Sequence, residues 1–209
     1  MLRYIYGSDL ARFPRLEESM FLDRADQFKH RLGWEVTLDT KGWERDEYDD
    51  LNPLYVIWEN PDGTHGGSMR FLPTVGRTMV NDHFGDLTGG SPICDPGIWE
   101  CTRFCLSPKA ESRIAAALML GGGELMRHFQ LAQFAGVFDA RMVRIYRMIG
   151  SSPVVLGESG TGRGKISLGL WSYSPQAHLR VAQSAGVSLA LSEKWFQRSF
   201  GAAELLLSA

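Results

Sequence analysis

Eight residues in the first half of the chain have the types and spacing to hold a charged ligand: Arg24, Phe28, Trp34, Asp46, Asp49, Arg70, Glu100 and Arg103. Arg24 lies four residues apart from Met20 and Phe28, and eight from Leu16, on the stripe that a helix turns inward. A guanidinium on such a face cannot be left dry and unpaired. Asp46, Asp49 and Glu100 are the carboxylates available to meet it. Arginines and carboxylates converging in this way suit a zwitterionic, amino-acid-like ligand.

The periodicities assign elements to carry these residues. Residues 9 to 32 read as an amphipathic helix stopped by Gly33. The charge-dense stretch from 35 to 52 lacks periodicity and reads as a mobile functional loop. Leu54 to Glu59 and Gly67 to Leu72 form a hairpin across the turn Asn60-Pro61-Asp62-Gly63. A long connection, 73 to 97, leads to a strand over Ile98 to Leu106. Strict alternation would put Glu100 and Arg103 on opposite faces, so a bulge must lie between them if both serve one site. Glu111 to Gln130 is helical in pattern. Its Gly121-Gly122-Gly123 costs about 1 kcal/mol per glycine relative to alanine, which implies a kink or very close packing. A strand over Phe134 to Phe138, a helix over Ala140 to Met148 and a strand over Ile166 to Trp171 follow. The interleaving predicts an α/β or α+β sandwich with a mixed sheet.

Composition narrows the class. A chain of 209 residues fits a single domain over 1–209, and a net charge of −2 argues against nucleic-acid binding. No apolar run reaches the roughly 18–20 residues needed to cross a bilayer, and the first residues are too polar for a signal peptide. Cys94, Cys101 and Cys105 lack C-x-x-C spacing and read as reduced, cytoplasmic packing residues; the histidines lack ligand spacing, so no metal is expected. Gly157 to Ile166 imitates a phosphate loop, but Ser159 stands where its first glycine belongs and Ile166 where its Ser or Thr belongs.

Five segments, in order, resemble the acyl-homoserine-lactone synthases of bacterial quorum sensing. They are Arg24-x3-Phe28-x5-Trp34, Glu44 to Asp49, Met69 to Thr74, His83-Phe84 and Trp99 to Phe104. The match runs from about residue 20 to 150; residues 151 to 209 carry no matching motif. The resemblance implies an N-acetyltransferase-like mixed sheet flanked by helices, with a V-shaped cleft between splayed central strands. It implies transfer of an acyl group from a thioester, usually on acyl carrier protein, to the amine of S-adenosylmethionine. Lactonisation then releases 5′-methylthioadenosine. Glu100 would be the general base, assisted by Arg103. Arg24, Phe28, Trp34, Asp46, Asp49 and Arg70 would shape the adenosylmethionine site, and Cys101, Thr102 and Phe104 the acyl and oxyanion region. Phe84 would pack the long loop. S-adenosylmethionine is then a substrate, and no cofactor is expected. Carrier proteins are acidic, so Arg144 and Arg147, with Arg141, mark an expected docking face. His128 to Gly150 contains no Ser or Thr, so an unsubstituted acyl chain is expected over a 3-oxo one. Two rivals are an acetyl-CoA N-acetyltransferase, whose glycine turn is absent from Pro108 to Arg113, and a non-catalytic module that binds S-adenosylmethionine.

Overall fold

The computed structural model describes the chain from residue 1 to residue 207. Seven strands form one sheet: β1 (Leu2–Tyr6), β2 (Leu54–Glu59), β3 (His65–Pro73), β4 (Ile98–Leu106), β5 (Gln133–Asp139), β6 (Val154–Ser159) and β7 (Ile166–Ser172). The helices are α1 (Pro14–Arg24), α2 (Met79–His83), α3 (Arg113–His128), α4 (Ala140–Ile149), α5 (Pro175–Ala185) and α6 (Leu189–Leu207). The strand order is β1-β2-β3-β4-β5-β7-β6. Every neighbouring pair is antiparallel except β4 and β5. That parallel pair holds register only from Ile98↔Gln133 to Glu100↔Ala135. Both strands run on beyond it without pairing, so the sheet opens into the expected V.

Alternation along β1 and β2 explains the two layers. Leu2, Tyr4 and Val56 face α3, whose Ile114, Leu118 and Leu125 complete one core cluster. Ile5, Tyr55 and Ile57 point the other way, onto Leu16, Met20 and Phe21 of α1. Burying each such side chain contributes about 1.5–3 kcal/mol. The glycine run resolves as close packing within an unbroken α3. A Cβ on Gly121 would lie 2.7 Å from Val56 Cγ1, and one on Gly123 2.4 Å from His178 Nδ1. Residues 121 and 123 must be small because the sheet and α5 already fill that space.

Several sequence expectations are corrected. The first helix begins at Pro14, after a separate 3-10 segment over Gly7–Arg12, and Ala25–Arg31 winds as a π-helix. Gly33 still ends it, with φ +68°. β1, β6, α5 and α6 had no counterpart in the sequence reading. The last of these packs Phe196 and Phe200 against Tyr4 at ring distances of 5.1 and 6.0 Å, fastening the end of the chain to its beginning. The phosphate-loop imitation is a β6–β7 hairpin, its turn carried by Gly160 and Gly162 at positive φ. The loop from 35 to 52, read as mobile, is pinned from Glu44 onward: Glu44, Tyr48 and Asp49 are all buried.

Candidate active site

A bulge is present, at Arg103 itself rather than between it and Glu100. Between β3 and β4 the register runs Arg70↔Thr102 but Ser68↔Cys105, so two β4 residues oppose Met69 alone. Arg103 is the bulged residue, with φ +51°, a conformation that a non-glycine side chain adopts only when its surroundings hold it there. Its surroundings are carboxylates. Arg103 meets Glu44 at 2.9 Å and Asp46 at 2.6 Å, and its guanidinium lies 5.4 Å from the centre of the Phe28 ring.

Behind Arg103 the network closes on itself. Arg24 donates to Glu44 at 2.6 Å and to both oxygens of Asp49 at 2.9 Å. Arg70 bridges Asp46 and Asp49 and donates to Thr102 Oγ1 at 3.1 Å. Tyr55 donates to Asp49 at 2.6 Å. Three guanidiniums thus face three carboxylates, which lets a charged cluster stand in the interior. Burial alone would raise the Asp49 pKa; Arg24 and Arg70 more than reverse this and hold it far below the usual carboxylate range. Arg24 and Arg70 stay charged despite burial for the same reason.

The cluster divides into a supporting part and an exposed edge. Arg24, Arg70 and Asp49 are 1%, 0% and 5% exposed and lie behind the cleft wall, whereas Arg103 lines the cleft. Asp46 and Asp49 are therefore engaged with arginines, and they anchor the loop. Glu44 completes the charge balance and escaped the sequence reading: a carboxylate in an aperiodic, charge-rich loop looks like any solvated residue.

The π-helix shapes the same wall. Its wider turn supports Gln27, which donates to Phe104 O at 2.8 Å and accepts from Leu106 N at 3.1 Å, holding β4 just past the bulge. It also carries Phe28, which stacks on Trp34 at 5.0 Å and 16°. Trp34 is 44% exposed, so this aromatic wall has a face open to a ligand.

Glu100, 1% exposed, accepts hydrogen bonds from the amides of Met79 at 3.0 Å and Val80 at 2.5 Å. It supplies the N-terminal acceptors of α2 that Thr78 does not, since Thr78 makes no capping bond. Burial raises the Glu100 pKa against the opposing pull of these amides. A carboxylate with a raised pKa lining a cleft has the electrostatics of a general base.

The cleft itself encloses about 550 Å³ between the splayed strands. Its lining includes the polar and aromatic Gln27, Phe28, Trp34, Glu100 and Arg103, and the apolar Met69, Phe71, Met126 and Phe134, which share one core cluster, with Phe138. Cys101, Thr102 and Phe104 line it as well, and Phe84 both lines it and packs its own loop. The thiols of Cys101 and Cys105 are pushed up by burial and are not nucleophiles. The donor-free lining expected of 128–150 does not hold, because Arg141 and Tyr146 are among the residues that line the cleft. Arg144 and Arg147 lie exposed on α4; Arg141 is tied to Asp139 at 2.5 Å. A group that histidine spacing did not signal is Glu124, His128 and Glu193, whose ligand atoms lie within 4.8 Å of one another. Arg127 pairs with both carboxylates there and supplies the positive charge.

An open mixed sheet, helices flanking it and a V between its central strands make up an N-acetyltransferase-like architecture. A putative N-acetyltransferase from Lactobacillus plantarum shares that fold at TM-score 0.54 and 12% identity, over 83% of this chain and 99% of its own. The finer likeness is to synthases. The family model for autoinducer synthase matches residues 10–172. An acyl-homoserine-lactone synthase of Rhizobium etli is 40% identical over 178 residues, 82% of this chain and 84% of that protein. In fold, the chain is similar to MesI, a CoA-dependent acyl-homoserine lactone synthase (TM-score 0.80, 24% identity, 91% of this chain and 98% of that one). It is also similar to BjaI, a CoA-dependent synthase solved with SAM and isopentyl-CoA (TM-score 0.78, 20% identity, 90% of each chain). The chain belongs to the autoinducer synthase family and is an enzyme of the acyl-homoserine-lactone synthase type.

Proposed function

We propose that the polar end of the cleft holds S-adenosylmethionine between the Phe28–Trp34 wall and Arg103, and that the apolar end holds the acyl chain of a thioester. The single observation carrying this reading is that the buried Glu100, its pKa raised, lines one cleft together with Phe28, Trp34 and Arg103 and with Met69, Phe71 and Phe134. Glu100 takes a proton from the substrate amine, directly or through one water, and the free amine attacks the thioester carbonyl; collapse of the adduct breaks the C–S bond and releases the carrier's sulfur as a thiol. Past Ala135 the β5 edge no longer pairs with β4, which leaves β4 backbone groups near 101 to 104 available to receive the developing oxyanion. The methionyl carboxylate then closes on its own γ-carbon and expels 5′-methylthioadenosine. Arg24, Arg70, Asp46, Asp49 and Glu44 act by holding Arg103 and the loop in place. S-adenosylmethionine is consumed as a substrate, and the scheme needs neither metal nor cofactor. The basic, exposed surface of α4 at Arg144 and Arg147 fits an acidic carrier protein delivering the acyl group. None of the described helices is long and apolar enough to cross a membrane, and the reading places the enzyme in the cytoplasm with its substrates.

Glu100→Gln tests this. The swap is nearly isosteric and keeps one acceptor for the α2 amides, so the fold should persist while acylation slows by about 10²–10⁴-fold. The wild-type kcat/KM should rise with pH through a pKa above the ordinary carboxylate value, and that inflection should vanish in the variant. A folded variant with near-wild-type turnover removes Glu100 from the mechanism.

A further inference from the structure

Glu100 takes both of its amide bonds from α2, a helix of only five residues, so whatever fixes α2 also fixes the surroundings of the base. Two contacts fasten α2, one to each half of the split sheet. Val80 is 0% exposed in a cluster with Ala135 of β5 and Leu168 of β7. Asp82, two residues further on, accepts from the Tyr48 phenol at 2.9 Å. Tyr48 stands between Asp46 and Asp49, in the loop that Arg24 of α1 and Arg70 of β3 pin to the other half.

The other polar contacts of this segment are local or weak. Asn81 is paired twice with Ile93, at 2.8 and 2.9 Å, which ties the helix to its own connection. Arg77 meets Asp82 at 2.7 Å from within the same segment. Arg77 and His83 approach Glu47 at 4.0 and 3.9 Å, with more than half of each side chain exposed, and such pairs contribute little. Met79 offers Arg103 only a thioether at 3.8 Å, a weak acceptor. Tyr48 itself is 1% exposed, its ring 5.5 Å from the Arg70 guanidinium and edge-on to His83 at 6.2 Å. A phenylalanine would keep those ring contacts, so the packing does not require the hydroxyl.

Resting on the role proposed for Glu100, we infer that Tyr48 is a positioning residue for the reaction: through Asp82 it holds α2 so that the Met79 and Val80 amides stay on the Glu100 carboxylate. These amides oppose the effect of burial on Glu100. The other charges acting there, Arg70 and Asp46, stay paired with each other when only the hydroxyl is removed. Loosening the link therefore withdraws a stabiliser of the ionised form, and Glu100 holds its proton to higher pH. Loss of the Asp82 charge by itself would act in the opposite direction, so an upward shift reports position.

The test is the pH dependence of kcat/KM for lactone formation in the wild type, Tyr48→Phe, Asp82→Ala and Asp82→Asn, with Glu100→Gln marking the inflection that belongs to the base. One net hydrogen bond corresponds to roughly half to one pH unit, and Tyr48→Phe and Asp82→Ala should each raise the inflection by about that much. The double variant should raise it no further, because both changes break one link. Asp82→Asn keeps an acceptor for the phenol and should stay close to the wild type. A merely structural role would lower the Tm of Tyr48→Phe and leave the inflection unmoved, and that result overturns the inference. So does a shift in Asp82→Asn equal to that in Asp82→Ala. If the wild type forms no lactone, or its inflection survives in Glu100→Gln, the proposed function fails and this inference with it. An inflection lost in Glu100→Gln but unmoved in Tyr48→Phe leaves that function standing and overturns the link alone.

Discussion

Replacing Arg24 with alanine tests whether the buried ion cluster supports the site, because Arg24 reaches two of its three carboxylates. The change removes bonds of 2.6, 2.9 and 2.9 Å from Glu44 and Asp49, which are then 0% and 5% exposed with too few cations. Stranding one partner of a buried pair costs about 3–5 kcal/mol. In a chain of this size each kcal/mol moves Tm by about 2–4 °C, so a fall of roughly 6–20 °C is expected near neutral pH. The pH dependence sharpens the test. In the folded wild type the Asp49 pKa is depressed, so its stabilisation is fully present above the unfolded value of about 3.9 and is lost as pH falls toward the folded value. Without Arg24 that depression shrinks, so the Tm gap between variant and wild type should narrow as the pH drops below about 4. Arg24→Lys keeps the charge but not the planar fork and should fall in between. Thermal melts followed by circular dichroism from pH 3 to 8 measure all of this. A Tm within about 2 °C of wild type at pH 7, or a gap that widens in acid, would refute the account of the cluster.

Two further outcomes follow from particular contacts. Gly123→Ala would set a Cβ 2.4 Å from His178 Nδ1, and such overpacking should cost about 1–3 kcal/mol in denaturant unfolding; an unchanged midpoint would mean that α5 yields freely. Reversing charge at both Arg144 and Arg147 should raise the apparent KM for an acyl-carrier substrate several-fold and leave S-adenosylmethionine kinetics unchanged, and identical kinetics with both substrates would exclude α4 as the docking face.

Local pattern in the sequence determined the elements whose side chains alternate or recur against a core. β2 and β4 match their expected bounds, and the stripe Leu16, Met20, Arg24, Phe28 is buried throughout. Burial of Arg24 beside a carboxylate also followed from sequence, because a helix face with three apolar residues leaves its fourth no route to water. Of the three carboxylates expected to meet it only Asp49 does, while Asp46 turns to Arg70 and Arg103 and Glu100 to the α2 amides. The need for a bulge came from the two-residue period alone, whereas its place, at Arg103 rather than before it, was decided by the fold. Other features were decided only in three dimensions. β6 is an edge strand with Val154, Val155 and Leu156 all exposed, so no alternation marked it. Glu44 became part of the site because the folded loop brings it beside Arg24 and Arg103, 20 and 59 residues distant in sequence. That Tyr146 lines the cleft, packed on Phe138 and Trp171, was likewise decided by the fold, since its own segment shows only an amphipathic helix. Periodicity fixes which way a side chain faces relative to its own element; what it meets there is fixed by the packing of distant elements, which no local pattern encodes.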